Sequence, residues 1–214
     1  MSLLSVCREV AIQLNQQTVS SVYSNPGRFE QELLLICEET GEELLRRHDW
    51  GQLVRTTDYV TTPGDLPGDF ERLTMGSPVR LGTTPIRGAL SDAEMNLKRG
   101  APSGSPPRFM IRKPQLEVAP APATTVTLEY VSSYWVRSTS GTLQAGFLDD
   151  TDVSLIPEDI ITLGMKWRWR RMKGRPFDDE LAEFEAAIEY RARADRSIRA
   201  SQSPVPSVSS PGAS

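Results

Sequence analysis

Apolar residues fall at helical spacing at both ends of the chain and alternate with polar ones in its middle. Leu3, Val6, Val10 and Leu14, with Cys7 and Ala11 beside them, predict a first helix. Asn15 to Ser24 is polar, and Asn25-Pro26 marks a turn that places proline near a helix start. Phe29, Leu33, Ile36, Thr40 and Leu44 then form one stripe down a second helix that ends near Arg47 and His48. Basic residues in that last turn suit the negative end of the helix dipole. Two such helices joined by a short connection are expected to pair antiparallel.

Beyond Trp50 the texture changes. Leu53 to Thr62, rich in Val, Thr and Tyr, predicts a strand, and Pro63 to Asp69 reads as turns. Short strands are expected around Val79–Leu81, Pro85–Leu90, Arg108–Ile111 and Leu116–Val118, with a brief helix over Ser91–Arg99 and a loop over Gly100–Pro107. The clearest strand is Thr124 to Val136, where Val126, Leu128 and Tyr130 alternate with threonines and Glu129. Helix returns at Pro157-Glu158-Asp159 and runs through Ile160, Leu163 and Trp167 to a break at Gly174-Arg175-Pro176. A last helix starts at Asp178 or Asp179 with Phe177, Leu181, Phe184, Ile188 and Arg191 on one stripe. The order predicts an α+β fold in which helices from both ends form a bundle around an inserted, small antiparallel β lobe. The expected boundaries are 1–50 and 157–200 for the helices, 51–156 for the lobe and 201–214 for an uncharged Ser/Pro/Val/Gly tail too poor in apolar surface to order itself.

Composition narrows the function classes. With 214 residues the chain is long enough for a core without disulfides or a metal. No run approaches the roughly 18–20 apolar residues of a membrane span. The start, Met1-Ser2-Leu3-Leu4, lacks a basic segment and is not expected to be a signal peptide, so a cytoplasmic site of synthesis and no membrane partner are expected. The two cysteines, Cys7 and Cys37, lie inside helical patterns and read as small apolar residues. The single histidine, His48, at an element end, reads as helix-terminal or surface-exposed. Asp149-Asp150-Thr151-Asp152 lacks the glycine and glutamate of a calcium loop and reads as a solvated loop. No catalytic or cofactor motif is present, so no enzymatic activity and no cofactor are expected.

The segment Lys166-Trp167-Arg168-Trp169-Arg170-Arg171-Met172-Lys173-Gly174-Arg175 is basic and aromatic at once. One reading is contact with DNA phosphates and bases. The other is an amphipathic helix with Trp167 packed inward and its arginines paired to Asp178, Asp179, Glu180, Glu183 or Glu185. Trp167 is assigned to the interior. Arg168, Arg170, Arg171 and Lys173, with Arg191, Arg193, Arg196 and Arg199 near the end of the last helix, are assigned to an interface.

Several of these pieces, in this order, resemble the phage head–tail adaptor proteins of the tail tubular protein A type. They are His48-Asp49-Trp50, then Asp58-Tyr59-Val60-Thr61, then Leu66-Pro67-Gly68-Asp69-Phe70-Glu71-Arg72. Tyr130 through Trp135 to Val136 follows, and then Leu155-Ile156-Pro157-Glu158-Asp159 leading into Gly164-Met165-Lys166-Trp167-Arg168-Trp169. The resemblance implies a non-enzymatic virion protein assembled in the host cytoplasm. Its partners would be a portal protein, a downstream tail, nozzle or stopper protein, and further copies of itself in a ring of twelve whose lumen passes DNA without sequence-specific binding. Trp50, Phe70, Trp135, Trp167, Phe177 and Phe184 are read as structural residues, and so is Asp69, whose carboxylate is expected to bond backbone amides in its own turn. The alternatives are a stopper or tail terminator, or a nucleic-acid-binding module using the Trp/Arg segment.

Overall fold

The computed structural model describes residues 2–24, 26–112 and 114–202, the last five of these by backbone alone. The expected tail therefore lies outside the described residues apart from Ser201 and Gln202, which end the last helix. The fold is α+β. Its order is α1 (Leu3–Gln13), α2 (Arg28–Arg47), β1 (Val54–Tyr59), β2 (Gly64–Asp65), β3 (Phe70–Leu73), β4 (Val79–Leu81), β5 (Thr84–Pro85) and β6 (Arg87–Gly88). Then come α3 (Asp92–Arg99), β7 (Arg108–Arg112), β8 (Gln115–Ala119), β9 (Val126–Ser132), β10 (Val136–Arg137), β11 (Leu143–Gln144), β12 (Val153–Ser154), α4 (Glu158–Met172) and α5 (Asp178–Gln202).

Helix α4 is the element the other long helices share: α1, α2 and α5 all pack against it. The antiparallel pairing expected of α1 and α2 is thereby corrected, since each packs on α4 rather than chiefly on the other. Two features explain this. The connection from Leu14 to Gly27 is long, and it is held away by Asp150, whose carboxylate accepts from the Ser21 hydroxyl and the Val22 amide. Helix α4, in turn, buries residues over more than half of its circumference: Ile160, Ile161, Met165, Trp167 and Trp169. So wide a buried face has room for several neighbouring helices.

The β region is more divided than one small antiparallel sheet. Among the described residues β9 centres the largest sheet, with β1 along one edge and β3 and β4 sharing the other. A second sheet runs β2-β8-β7-β6, and there β6 and β7 are parallel. A third is β11-β10-β12. The turn-rich stretch around Pro63–Asp69 contributes β2 and leads directly into β3, neither expected from sequence.

Strand β9 separates two hydrophobic clusters because successive side chains point to opposite faces. Val126, Leu128 and Tyr130 join Tyr59, Val79, Phe109 and Leu116 in one cluster, whereas Val131 belongs to the cluster of the four long helices. That helical core also takes in Leu53, Trp135, Val136, Phe147 and Leu155, all from the stretch between the helical ends. The second sheet carries α3, capped by Ser91 and plugged by buried Met95, with ion pairs Arg108–Glu94 and Arg112–Asp92 at its edges.

Candidate functional site

The basic-aromatic segment forms the C-terminal half of α4 and the turn that follows it, and the structure sorts its residues by where they point. Trp167 and Trp169 are both buried, 200° apart around the helix, so they face different neighbours. Trp167 lies 6.2 Å from the rings of Phe177 and Phe184 at the start of α5. Trp169 lines a groove of about 470 Å³ with Gln16, Phe29 and Glu32 from the α1–α2 side.

Arg168 turns inward, which corrects its placement at a surface interface. Its guanidinium is 9% exposed and lies 4.4 Å over the Trp167 ring. It donates to the Gly164 carbonyl at 3.1 Å and to the Glu43 carboxylate on α2. Burial holds its pKa below the usual arginine value, with Glu43 acting in the opposite direction. Close approach of α2 and α4 makes this pair possible: a Cβ at Gly164 would overlap Thr40 and crowd Phe184.

The other cations of the segment are more exposed. Arg170 pairs with Glu180 at 2.9 Å, one of the acids expected on the next helix. Lys173 instead pairs with Glu32 of α2 at 2.6 Å. Arg171 sits 5.9 Å over Trp167, and Arg175 sits 5.2 Å over Trp169. On α5, Arg191 pairs with Asp159 at the start of α4 at 2.8 Å and Arg193 with Glu189 at 3.0 Å, while Arg196 is exposed. The side chain of Arg199 lies outside the described residues.

The residues assigned to structure occupy defined places. Trp50 is buried, donates its indole N–H to the Leu44 carbonyl at 2.8 Å and meets His48 edge-on at 4.8 Å. Phe184 and Trp135 are fully enclosed, Phe177 is half-buried, and Phe70 lies 5.7 Å from the Tyr130 ring. Asp69 was expected to bind backbone amides in its own turn. Its carboxylate instead reaches across to β9, accepting from the Tyr130 hydroxyl at 2.9 Å and the Ser132 hydroxyl at 2.6 Å. Burial and Asp69 together push the Tyr130 phenol up to about 12.

Sequence reasoning missed how two of its own motifs meet. Arg72, the end of Leu66–Arg72, donates to Asp49 of His48-Asp49-Trp50 at 2.5 Å and to the Leu45 carbonyl at 3.3 Å. Asp49 also accepts from the Met75 amide at 2.6 Å. This cluster fastens the end of α2 to β3. The Asp149–Asp152 loop is solvated only in part: Asp149 and Thr151 are exposed, but its last residue is not. Asp152 is 2% exposed and accepts from the Leu148 and Asp149 amides at 2.7 and 3.0 Å. Among the described residues no group of three or more His, Cys, Asp or Glu is placed to hold a metal ion, and no helix is long and apolar enough to cross a membrane.

His48 is helix-terminal as expected but buried, which corrects the surface reading. Its Nε2 lies 3.2 Å from Asp195 of α5, whose carboxylate also accepts from the Gly51 amide at 3.1 Å. Asp195 alone would favour the charged imidazole, but burial acts more strongly and lowers the His48 pKa. The unfolded chain, with its histidine near the ordinary value of about 6.5, then binds the proton more tightly than the native state. The contribution is therefore complete above about pH 6.5 and is lost as pH falls from there toward the depressed native value. Urea midpoints are expected to drop across that interval more steeply for the native sequence than for His48→Gln, and parallel profiles would contradict a neutral buried imidazole.

A family model described as SU10 adaptor protein matches residues 1–212. No curated protein matches the chain. With a match that takes in α1 through α5, all three sheets and every site residue above, the chain belongs to the SU10 adaptor protein family.

Proposed function

We propose that the protein is a structural head-to-tail adaptor of a tailed phage. Copies of it form a ring, twelvefold by the resemblance, between a portal oligomer and the next tail protein, and DNA passes through the lumen. The family match over residues 1–212 is the observation that carries this reading. In it the helices of residues 1–50 and 157–200 form a bundle that is the body of each subunit, and residues 51–156 form the inserted lobe. Arg191, Arg193, Arg196 and Arg199, with the residues that follow them, are the proposed contacts to the portal, and Arg170, Arg171 and Lys173 face neighbouring subunits or the portal.

The rival reading as a nucleic-acid-binding module loses its main support. Base stacking needs exposed ring faces, and Trp167 and Trp169 are 7% and 3% exposed. Mixing the purified protein with its own portal oligomer tests the proposal. A complex heavier than the portal by many subunit masses is expected, with a ring visible in images. A protein that stays monomeric and leaves the portal mass unchanged would overturn it.

A further inference from the structure

The surface of the helical body carries opposite charge on its two flanks. On the flank of α4 that faces α1 and α2, the Trp169 groove is rimmed by three cations. Arg28, 90% exposed, and Lys173 share a single carboxylate, Glu32, at 3.1 and 2.6 Å, and Arg175 lies over the Trp169 ring. One negative charge against three leaves the groove cationic.

The other flank is the outer face of α5. Its buried stripe, Phe184, Ile188 and Ala192, is turned toward the core. Asp179, Ala182, Glu183, Ala186 and Tyr190 lie on the opposite side of the helix, and all five are exposed. Tyr190 is 70% exposed and offers a large amphipathic ring of the kind enriched at interfaces. Asp179 and Glu183 are one turn apart and have no ion pair among the described residues. The alanines between acid and aromatic leave room for another surface to come close. Trp167 points to α5 and Trp169 away from it, so the two flanks face apart.

We propose that the outer face of α5 in one copy docks into the Trp169 groove of the next, with Asp179 and Glu183 set against Arg175, Lys173 and Arg28. The contact joins unlike surfaces of identical chains. A head-to-tail contact of that kind is what closes a ring when its rotation allows. The inference rests on the ring reading above and adds which faces make the seam.

Cysteine pairs test it directly. Cys7 and Cys37 are buried, and burial raises both thiols, Cys7 to about 12, so they are poor targets for a maleimide. Arg175→Cys and Glu183→Cys proteins are treated with a short bis-maleimide separately and mixed, in concentrated solution and on the portal. Cross-linked dimer from the mixture, with little from either variant alone, is the expected result. Dimer from Arg175→Cys alone would mean that like faces meet and would overturn the proposal. No cross-link in a sample whose mass shows many copies on the portal would also overturn it while leaving the adaptor function standing. Failure of the wild-type protein to bind the portal strikes the adaptor reading, whereas the cross-link in concentrated solution still decides the seam. A second arm reverses charge. Arg175→Glu is expected to abolish the mixed dimer with Glu183→Cys read from an added Lys173→Cys, and pairing it with Asp179→Lys is expected to restore it.

Discussion

Replacing Trp135 by alanine is expected to destabilise the protein by about 3–5 kcal/mol, the range for emptying a buried aromatic site. Trp135 is 1% exposed and stands where three parts of the fold meet. Its ring contacts Phe147 edge-on at 5.1 Å, and its carbonyl accepts from the Leu155 amide at 2.8 Å. On the third side the ring presses on α2 at Gly41, where any Cβ would overlap it. That contact supplies a check on the mechanism. Gly41→Ala alone overpacks the site and is expected to cost about 1–3 kcal/mol, although alanine is about 1 kcal/mol better than glycine inside a helix. With Trp135→Ala already made, the new methyl has room and only the helix preference remains, so the double variant is expected to be more stable than Trp135→Ala. Guanidinium unfolding of the four proteins measures this. A cost of Gly41→Ala that is the same in both backgrounds would show that the ring does not rest on Gly41.

How much of this was legible beforehand depends on the scale of each interaction. The stripes Leu3–Leu14, Phe29–Leu44 and Phe177–Ile188 repeat over several turns, and the structure has α1, α2 and α5 there. Alternation over Val126–Tyr130 likewise located β9. Strands of two residues such as β2 and β6 carry no period and exist only because a partner strand lies beside them. In α4 the apolar residues spread over more than half of the helix, so no narrow stripe announces which helices will cover it. Its cations were visible as a run, yet their partners were not. Whether Arg168 meets Glu43 or an acid of α5 depends on the rotation of α4 between two neighbours, and that rotation is fixed by Gly164, Thr40 and Phe184 coming into contact. Single polar side chains with several backbone partners were equally hidden. Asp150 and Asp152 read as loop residues because what they bind, at Ser21, Val22 and Leu148, is set by the fold as a whole.

Glu43→Gln is expected to cost about 3 kcal/mol, because removing one partner of a buried ion pair strands the other charge. An arginine cannot shed its proton to escape, and the guanidinium of Arg168 is 9% exposed with one main-chain acceptor left, the Gly164 carbonyl. The reverse change is expected to be milder. Arg168→Met keeps an unbranched side chain against Trp167 and Phe184, and it leaves Glu43, whose side chain is 29% exposed, still paired with Arg47 at 2.8 Å and able to take up water. The double variant Glu43→Gln with Arg168→Met buries no unpaired charge, so its stability is expected to lie close to that of Arg168→Met alone and well above that of Glu43→Gln. Urea midpoints for the cycle decide the matter. Equal losses for the two single variants would mean that both charges are comparably solvated in the folded protein. The predicted asymmetry would instead identify Arg168 as a charge the core of the subunit carries for its own packing, unlike the more exposed ion pairs that Arg170, Lys173 and Arg191 make.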